Sequence, residues 1–374
     1  MLALLPASLN AQTVTTDAKR QSVTPDMRTL PIHVGGRVKE EKRSRPAGAR
    51  AFRHQWPGIY FDAAFEGRSV ALKFDDTANE YRLLIDDLPP IAIAQPGWVD
   101  VKVDGLAAAR HRLRLEKVTE SGGVVGEFGG FYVPADATPL PVQARARQIE
   151  FIGDSSMTGF GMHSPTAQCT NEEARLRTDT QNGYAALVAK HFDADYQINA
   201  ISARGVVRNY AGILPDATLP ALYPYILFNK FDAYKDASWR PSVIVIKLNA
   251  DFVGALNPRE KWKDFNEVAK DYAVEYGAFV AALHKRQPTA SFLIWWFDLA
   301  AMDPAGRAVF EEAQRAMLEA AQAAGVTRIN FLPMRDLGFD RQACANHYSV
   351  DDNKRLAAWL TDYIDQHPDL WQGR

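Results

Sequence analysis

The chain has 374 residues, 47% of them hydrophobic and 24% charged, which is the composition of a globular protein with room for two domains. Its formal charge of -2 gives no reason to expect nucleic acid or an anionic membrane surface as a partner. Residues 1–12 contain an apolar patch followed by small residues, like the end of a signal peptide that lacks its basic start. No other stretch approaches the ~20 apolar residues that a membrane-spanning helix needs. We therefore predict an exported protein, secreted or periplasmic, that has no membrane partner.

Residues 30–133 predict an all-β domain. Short segments that alternate apolar and polar residues are separated by turn-forming clusters, and no helical segment lies among them. This pattern is typical of a β-sandwich or jelly roll. The predicted strands are residues 59–65, 69–74, 81–85, 99–103 and 111–116.

Residues 134–147 are rich in proline and small residues and predict a linker. In residues 148–374, strand-like apolar runs alternate with longer segments of helical spacing, which predicts an α/β domain with a mostly parallel sheet covered on both faces. The predicted strands are residues 148–153, 196–201, 242–248, 291–296 and 328–332, and the predicted helices are residues 182–192, 265–285, 309–324 and 350–365.

The first strand of this second domain ends abruptly at Gly153-Asp154-Ser155. Ligands of α/β sheets bind at the carboxyl ends of the strands, so a serine at this turn is placed where a nucleophile is useful. The alternative is an ordinary turn with a helix N-cap, because Gly, Asp and Ser are common in such turns. Ser155 is our candidate nucleophile if other catalytic residues accompany it.

A serine nucleophile needs a base, and His347 is the best candidate. It lies in the loop between the last predicted strand and the final helix, which delivers it to the same edge of the sheet. The alternative is a structural histidine at a helix N-terminus that Ser349 caps. The sequence contains no metal-binding or phosphate-binding motif, so we predict neither a metal nor a cofactor.

Acyl transfer also needs donors for the oxyanion of the tetrahedral intermediate. The loops at residues 202–210 and 248–252 follow successive predicted strands. The candidate donors are the backbone N–H groups of Ser155 and Gly205 and the side-chain amide of Asn249.

The order Gly-Asp-Ser, glycine, asparagine and C-terminal histidine resembles the four blocks of the SGNH (GDSL-type) hydrolases. Residues 149–161, the Arg-Gly-x-x-Arg-Asn-Tyr segment at residues 204–210 and the preceding all-β domain resemble carbohydrate esterase family 2. That resemblance implies a jelly roll followed by a flavodoxin-like, three-layer α/β/α SGNH domain. It also implies a serine esterase with Ser155 as nucleophile, His347 as base, and Gly205 with an asparagine in the oxyanion hole.

Two blocks depart from the family pattern. The third usually reads Gly-Thr-Asn-Asp, whereas this chain has Leu-Asn-Ala-Asp at residues 248–251, so Asn249 either replaces the expected asparagine or the donor is missing. The fourth usually has an aspartate and a tryptophan before the histidine, whereas this chain has Cys-Ala-Asn before His347. We therefore expect a Ser-His dyad whose histidine is held by a backbone carbonyl, with Asp340 and Asp351 as the alternative orienting acids.

The two cysteines, Cys169 and Cys344, are by their spacing equally compatible with a disulfide and with two buried thiols. Because cysteines of the resembled family occur near both places, the resemblance favours a disulfide. The candidate substrate-binding residues are Asp154, Arg204, Arg208 and Asn209, although an arginine in such a loop is as often a structural clamp.

The expected function is therefore the removal of O-acetyl groups from an acetylated polysaccharide or oligosaccharide of plant type, by a protein that we expect to be a monomer. One alternative is a carbohydrate-binding protein on a weakened SGNH fold, which the two departures favour. Another is a lipase or thioesterase of the same superfamily, against which the polar loop at residues 202–210 argues.

Overall fold

The computed structural model describes residues 12–43, 48–295, 304–332 and 337–372. Except for Gln12, the predicted signal-like segment lies outside the described residues. The chain forms two antiparallel sheets and then one parallel sheet. None of the helices in these described ranges has the length and apolar character needed to span a membrane.

The two antiparallel sheets form a β-sandwich. One sheet has the order β1-β10-β7-β12-β5-β4 with β2 beside β12, and the other has the order β13-β6-β11-β8-β9 with β3 beside β6. Phe61, Phe74 and Phe128 fill the core between them and are fully buried. The strands are β1 Thr13–Asp17, β2 Arg28–Thr29, β3 His33–Gly35, β4 Val38–Lys42, β5 Arg50–His54, β6 Tyr60–Gly67, β7 Val70–Asp76, β8 Glu80–Ile85, β9 Ile91–Ala94, β10 Gly97–Asp104, β11 Ala109–Lys117, β12 Gly126–Val133 and β13 Thr138–Leu140.

The sandwich extends beyond the range predicted from the sequence, residues 30–133. β1 precedes that range and pairs with β10, and β13 lies within the predicted linker and pairs with β6. Pro139 in β13 is compatible with a strand because β13 lies at the edge of its sheet, where one side needs no hydrogen-bond donor.

The predicted α/β domain is confirmed. Its five strands are parallel in the order β15-β14-β16-β17-β18, which is the flavodoxin-like arrangement. The strands are β14 Arg147–Gly153, β15 Ala194–Ala200, β16 Val243–Lys247, β17 Ser291–Trp295 and β18 Ile329–Leu332. The helices are α1 Ser155–Thr158, α2 Asn171–Leu176, α3 Tyr184–His191, α4 Leu219–Leu222, α5 Phe265–Arg286, α6 Pro304–Ala323 and α7 Val350–Asp365.

Helices cover both faces of the parallel sheet. In β16, Ile244 and Ile246 belong to the same core cluster as buried residues of α5 and α6, while Val243 and Val245 belong to the cluster that contains α3 and α7. Because successive side chains of a strand point to opposite faces, a strand buried on both sides is apolar throughout. This explains the unbroken apolar run of β16, which ends at Lys247.

Buried polar contacts join the sandwich to the α/β domain. The side chain of Arg37, which is 0% exposed, donates to Glu150 Oε1 at 3.2 Å and to Gln197 Oε1 at 3.1 Å. Tyr60 Oη donates to Asp195 Oδ1 at 2.7 Å. Such contacts fix the relative orientation of the two domains because a buried polar group without its partner is costly.

We expect Arg37→Met to lower the free energy of unfolding by about 3–5 kcal/mol, because the charge of Glu150 then stays buried without its partner. Urea denaturation followed by fluorescence measures the change. Arg50→Met is the matched control, because Arg50 pairs with Glu40 at an exposed site, 57% and 42% exposed, and its loss costs about 1 kcal/mol or less. Equal effects of the two substitutions would contradict the role of the buried pair.

Candidate active site

Ser155 follows the carboxyl end of β14 and is the first residue of α1. Asp154 caps this helix by accepting a hydrogen bond from the Ser156 N–H at 3.0 Å. The helix ends after four residues because Gly159 adopts a left-handed conformation with φ of 69°. Asp154 is therefore the helix N-cap that the ordinary-turn interpretation expected. Ser155, which is partly exposed, lies at the edge of the sheet.

His347 meets Ser155 at this edge. Its Nε2 lies 2.7 Å from Ser155 Oγ, and its Nδ1 lies 2.8 Å from the Cys344 carbonyl oxygen. The carbonyl can only accept, so Nδ1 carries a proton and Nε2 of the neutral ring has its lone pair towards the serine hydroxyl. Ser349 caps α7, as the alternative interpretation expected. The imidazole of His347, two residues before this cap, contacts Ser155 rather than the helix.

The two other candidate orienting acids have different partners. Asp340 Oδ1 accepts from the Gln342 N–H at 3.0 Å, and its Oδ2 accepts from Ser349 Oγ at 3.1 Å. Asp351 pairs with Lys354 at 3.0 Å. The hydrogen bond at His347 Nδ1 is therefore made by a backbone carbonyl.

The loop that carries His347 is tied to the loop after the nucleophile. Cys344 forms a disulfide with Cys169, and the Ala345 N–H donates to the Ala167 carbonyl at 2.8 Å. Gly161 fits against this bond because a Cβ there would lie 2.5 Å from Cys344 Cβ. Since Cys344 also supplies the carbonyl that holds His347, the disulfide and the histidine orientation are coupled.

The surroundings of His347 favour the neutral ring. Burial lowers the pKa of His347 below the ordinary value of a histidine, and the positive charge of Lys247 lowers it further. The Cys344 carbonyl and the charge of Asp154 act in the opposite direction, but the net pKa shift is downward. A neutral imidazole near pH 7 is the state that a general base requires.

Two of the predicted substrate-binding residues, Arg208 and Asn209, instead hold their own loop together, which corrects the prediction. Each is 1% exposed. Arg208 forms an ion pair with Glu260 and donates to the carbonyls of Asp251, Val253 and Ala255. Asn209 Nδ2 donates to three carbonyls, those of Ile213, Leu214 and Ala217.

Gly205 lies inside this folded loop. A Cβ there would lie 2.1 Å from the Arg208 carbonyl oxygen and 2.5 Å from Asp251 Oδ2, so packing alone requires glycine. Its N–H donates to Asn209 Oδ1 at 3.2 Å, which is at the long end of the usual range. Asp251 accepts from the N–H groups of Val206 and Arg208, and its burial raises its pKa to about 6.

Asp154, a third predicted substrate-binding residue, is 4% exposed and also has a structural place. Its carboxylate accepts from Ser156 Oγ at 2.7 Å and from the Asn249 N–H at 3.4 Å, so it links the turn after β14 to the loop after β16. Asn249 is itself 7% exposed. Arg204 is partly exposed, its Nε is buried without a hydrogen-bond partner, and burial lowers the pKa of its guanidinium.

The sequence reasoning missed Glu120, which belongs to the segment after β11 of the sandwich. Its Oε1 accepts from the Ser202 N–H at 2.9 Å, and its Oε2 accepts from Thr158 Oγ1 at 3.1 Å. Burial raises the pKa of Glu120. No sequence pattern identifies this glutamate, because its partners come from distant parts of the chain.

The sequence reasoning also missed Lys247. A signal for this residue existed, because a lysine at the end of an apolar strand is unusual.

Removing the disulfide by Cys169→Ser with Cys344→Ser should lower the free energy of unfolding by about 2–4 kcal/mol, because the bond closes a loop of 175 residues. Guanidinium denaturation of the double variant measures the loss. The wild-type chain treated with a thiol reductant is the control and should lose the same amount. An unchanged denaturation midpoint in both would contradict the prediction.

Comparison with known proteins places the chain in a family. The sequence model described as Carbohydrate esterase 2 N-terminal matches residues 34–142, which lie in the sandwich. A protein of Cellvibrio japonicus described as an acetylxylan esterase / glucomannan deacetylase is 41% identical over 344 residues, which are 91% of this chain and 92% of that protein.

Solved structures agree. A carbohydrate esterase whose active site is described as displaying divergent catalytic and non-catalytic binding functions superposes with a TM-score of 0.82 at 39% identity, over 92% of this chain and 100% of that one. A family two carbohydrate esterase from Clostridium thermocellum, solved in complex with cellohexaose, superposes with a TM-score of 0.73 at 22% identity, over 91% of this chain and 100% of that one, which supports the fold alone. The chain therefore belongs to carbohydrate esterase family 2 and is a carboxylic ester hydrolase with an SGNH fold.

Proposed function

We propose that this esterase removes O-acetyl groups from plant-type polysaccharides or oligosaccharides with a Ser155–His347 dyad. The observation that carries the proposal is the 2.7 Å contact between Ser155 Oγ and His347 Nε2, at an accessible edge of the sheet. A hydroxyl that donates to a neutral imidazole is the arrangement that nucleophilic catalysis requires.

The reaction follows from this geometry. Ser155 Oγ attacks the acetyl carbonyl while His347 Nε2 takes the hydroxyl proton, and the imidazolium returns that proton to the departing sugar oxygen. An acetyl-serine remains. His347 then takes a proton from water, the resulting hydroxide attacks the acetyl-serine, and acetate leaves as Ser155 recovers its proton.

The oxyanion donors in this proposal are the N–H groups of Ser155 and Gly205 and the side chain of Asn249. As the first residue of a helix, Ser155 has an N–H that lacks an acceptor within the helix. The Gly205 N–H donates at 3.2 Å to the neutral Asn209 amide oxygen, and a developing oxyanion is a stronger acceptor that would compete for it. The same loop presents Arg204, which we propose binds sugar hydroxyls beside the reacting acetyl group.

The polysaccharide substrate is inferred from the relative of Cellvibrio japonicus, which is described as acting on acetylxylan and glucomannan. Exposed apolar side chains do occur on the loop that follows Gly205, with Tyr210, Ile213 and Leu214 at 46%, 43% and 59% exposure, so the test below includes a longer acyl ester. We also propose that the protein is exported and monomeric. The Cys169–Cys344 disulfide supports export because such bonds persist in oxidising compartments.

A second candidate function is carbohydrate binding without efficient turnover. The observation in its favour is the Gly205 N–H, which is already engaged by Asn209. The solved relative at 39% identity is described as combining catalytic and non-catalytic binding functions in its active site. Loss of Ser155 distinguishes the two candidates. In an esterase it abolishes turnover, whereas in a binding protein it leaves glycan binding unchanged.

The test is acetate release from acetylated xylan and acetylated glucomannan, together with hydrolysis of 4-nitrophenyl acetate. We expect the wild type to turn over and Ser155→Ala to lose about 10⁴-fold or more in kcat, because the nucleophile is gone. Ser238→Ala, a substitution of an exposed serine beside Asp236, is the control and should be fully active.

Glycan binding by an inactive wild type would replace the esterase proposal with the binding proposal. Faster hydrolysis of 4-nitrophenyl octanoate than of the acetate would instead indicate a lipase.

Asn249→Ala should lower kcat by about 10²–10³ with little change in KM, because an oxyanion donor acts only in the transition state. Steady-state kinetics on 4-nitrophenyl acetate measure the effect. Asn229→Ala, in an exposed turn, is the matched control. An unchanged kcat in Asn249→Ala would remove this side chain from the oxyanion hole and leave the two backbone donors.

A further inference from the structure

Lys247 lies in an unusual place for a lysine. It is the last residue of β16, pairs with Gly153 in the parallel sheet and is only 4% exposed. A buried ammonium group is costly unless a counter-charge and hydrogen bonds compensate it. Its surroundings should therefore show what compensates its charge.

The compensation comes through Ser156. Lys247 Nζ donates to Ser156 Oγ at 2.7 Å, and Ser156 Oγ in turn donates to Asp154 Oδ1 at 2.7 Å. The ring of Tyr348, the residue after the candidate base, lies 5.8 Å from Nζ. The Ser156 hydroxyl thus lies between the Lys247 ammonium group and the Asp154 carboxylate. The two charges therefore act separately on the Ser155–His347 pair.

We propose that Lys247 is a positioning residue that sets the charge balance at His347 and holds Ser156, the neighbour of the nucleophile, through the chain Lys247–Ser156–Asp154. The expected effect of Lys247 on the kinetics rests on the proposed function. The effect of its charge on His347 does not depend on turnover. Asp154 favours the imidazolium and Lys247 disfavours it. These two opposed charges lie in a site where, among the described residues, the Cys344 carbonyl rather than a carboxylate contacts Nδ1.

The charged and titratable groups around His347 come from several elements. Asp154 belongs to the turn after β14 and Lys247 to β16, and both act on His347. Tyr184 of α3 lies close to the Ser156 hydroxyl, and its own pKa is raised well above the usual value by burial, so it stays neutral. Burial is the main cause that lowers the pKa of His347, and the charge of Lys247 acts in the same direction. We therefore expect removal of the Lys247 charge to raise the pKa of His347.

The kinetic test compares Lys247→Met, which keeps the chain length but loses the charge, with the wild type. We expect the acidic midpoint of the kcat/KM profile for 4-nitrophenyl acetate to rise by about half a pH unit or more, since one charge is removed from a poorly solvated site. Lys247→Arg should restore the wild-type midpoint. Lys354→Met, at a site 65% exposed, should not move it. A fall in kcat with an unmoved midpoint would show a merely structural role and overturn the proposal.

A second measurement does not depend on turnover. Titration of His347 by NMR, with its signal assigned by comparison with His347→Asn, should give a higher pKa in Lys247→Met than in the wild type. If Lys247→Met fails to fold, Lys247→Gln serves instead, because it keeps a donor for Ser156 without the charge. An unchanged His347 pKa in the folded neutral variant overturns the proposal. An inactive wild type with the expected NMR shift would refute the proposed function but not the charge balance.

Discussion

The parallel pairing of β14 with its two neighbours is the constraint on which the site depends. The register places Gly153 beside Ala200 of β15 and Lys247 of β16, so that all three strands end at the same edge. The turn with Ser155 and the loops at residues 201 and 248 therefore leave the sheet together. Both faces of these strands are buried, and Glu150 and Gln197 each have a buried polar partner, Arg37. A slip of one residue would turn these polar side chains to the other face, away from that partner, which is costly. Buried contacts away from the site thus fix the positions of Ser155 and His347.

The sandwich domain takes part in the site rather than standing beside it. Glu120 reaches from the segment after β11 to Ser202 and Thr158, and Thr158 Oγ1 also donates to the Ser155 carbonyl at 3.1 Å. Three residues before Glu120, the carbonyl of Lys117 accepts a hydrogen bond from the Gln181 side chain at 3.2 Å. These contacts are polar and directional, so they specify one orientation of the domains where an apolar interface would permit several. The sandwich therefore helps to hold the loop that precedes Gly205.

In the part of the chain that the structure describes, a backbone carbonyl rather than a carboxylate holds His347 Nδ1. A carbonyl fixes the ring and its tautomer as well as an acid does, but it stabilises the imidazolium less, because it carries a dipole rather than a full charge. The backbone that presents this carbonyl is itself constrained. Ala345 and Asn346 adopt left-handed conformations with φ of 51° and 59°, which are unfavourable for residues other than glycine. The disulfide at Cys344 and its contact with Gly161 hold the loop in this shape.

Three features could be predicted from the sequence alone: the all-β character of the first part of the chain, the alternation of strands and long helices in the second, and the placement of Ser155 and His347 at the carboxyl edge of the parallel sheet. They could be predicted because strand and helix periods differ and because a turn after a buried strand can point only to that edge. The sequence also carried the family resemblance, and with it the disulfide. Eight of the described sandwich strands were not predicted: β1, β2, β3, β4, β5, β9, β12 and β13. Seven of them have only two to five residues and so carry little apolar signal, and β12 contains three glycines that interrupt its pattern.

The roles of the polar loop residues, in contrast, are visible only in the folded protein. Arg208, Asn209 and Asp154 have the composition of a sugar-binding rim, yet they turn inward. Arg208 finds Glu260 there, Asn209 finds backbone groups of its own loop, and Asp154 finds Ser156. In a loop no repeat fixes the direction of a side chain, so its direction depends on groups that the chain brings near from elsewhere. Glu120 contacts Ser202 across a separation of 82 residues, and Lys247 reaches Ser156 across 91. Such contacts exist only after the sheets have formed, which is why the sequence could indicate the proposed nucleophile and base but not the charges that surround them.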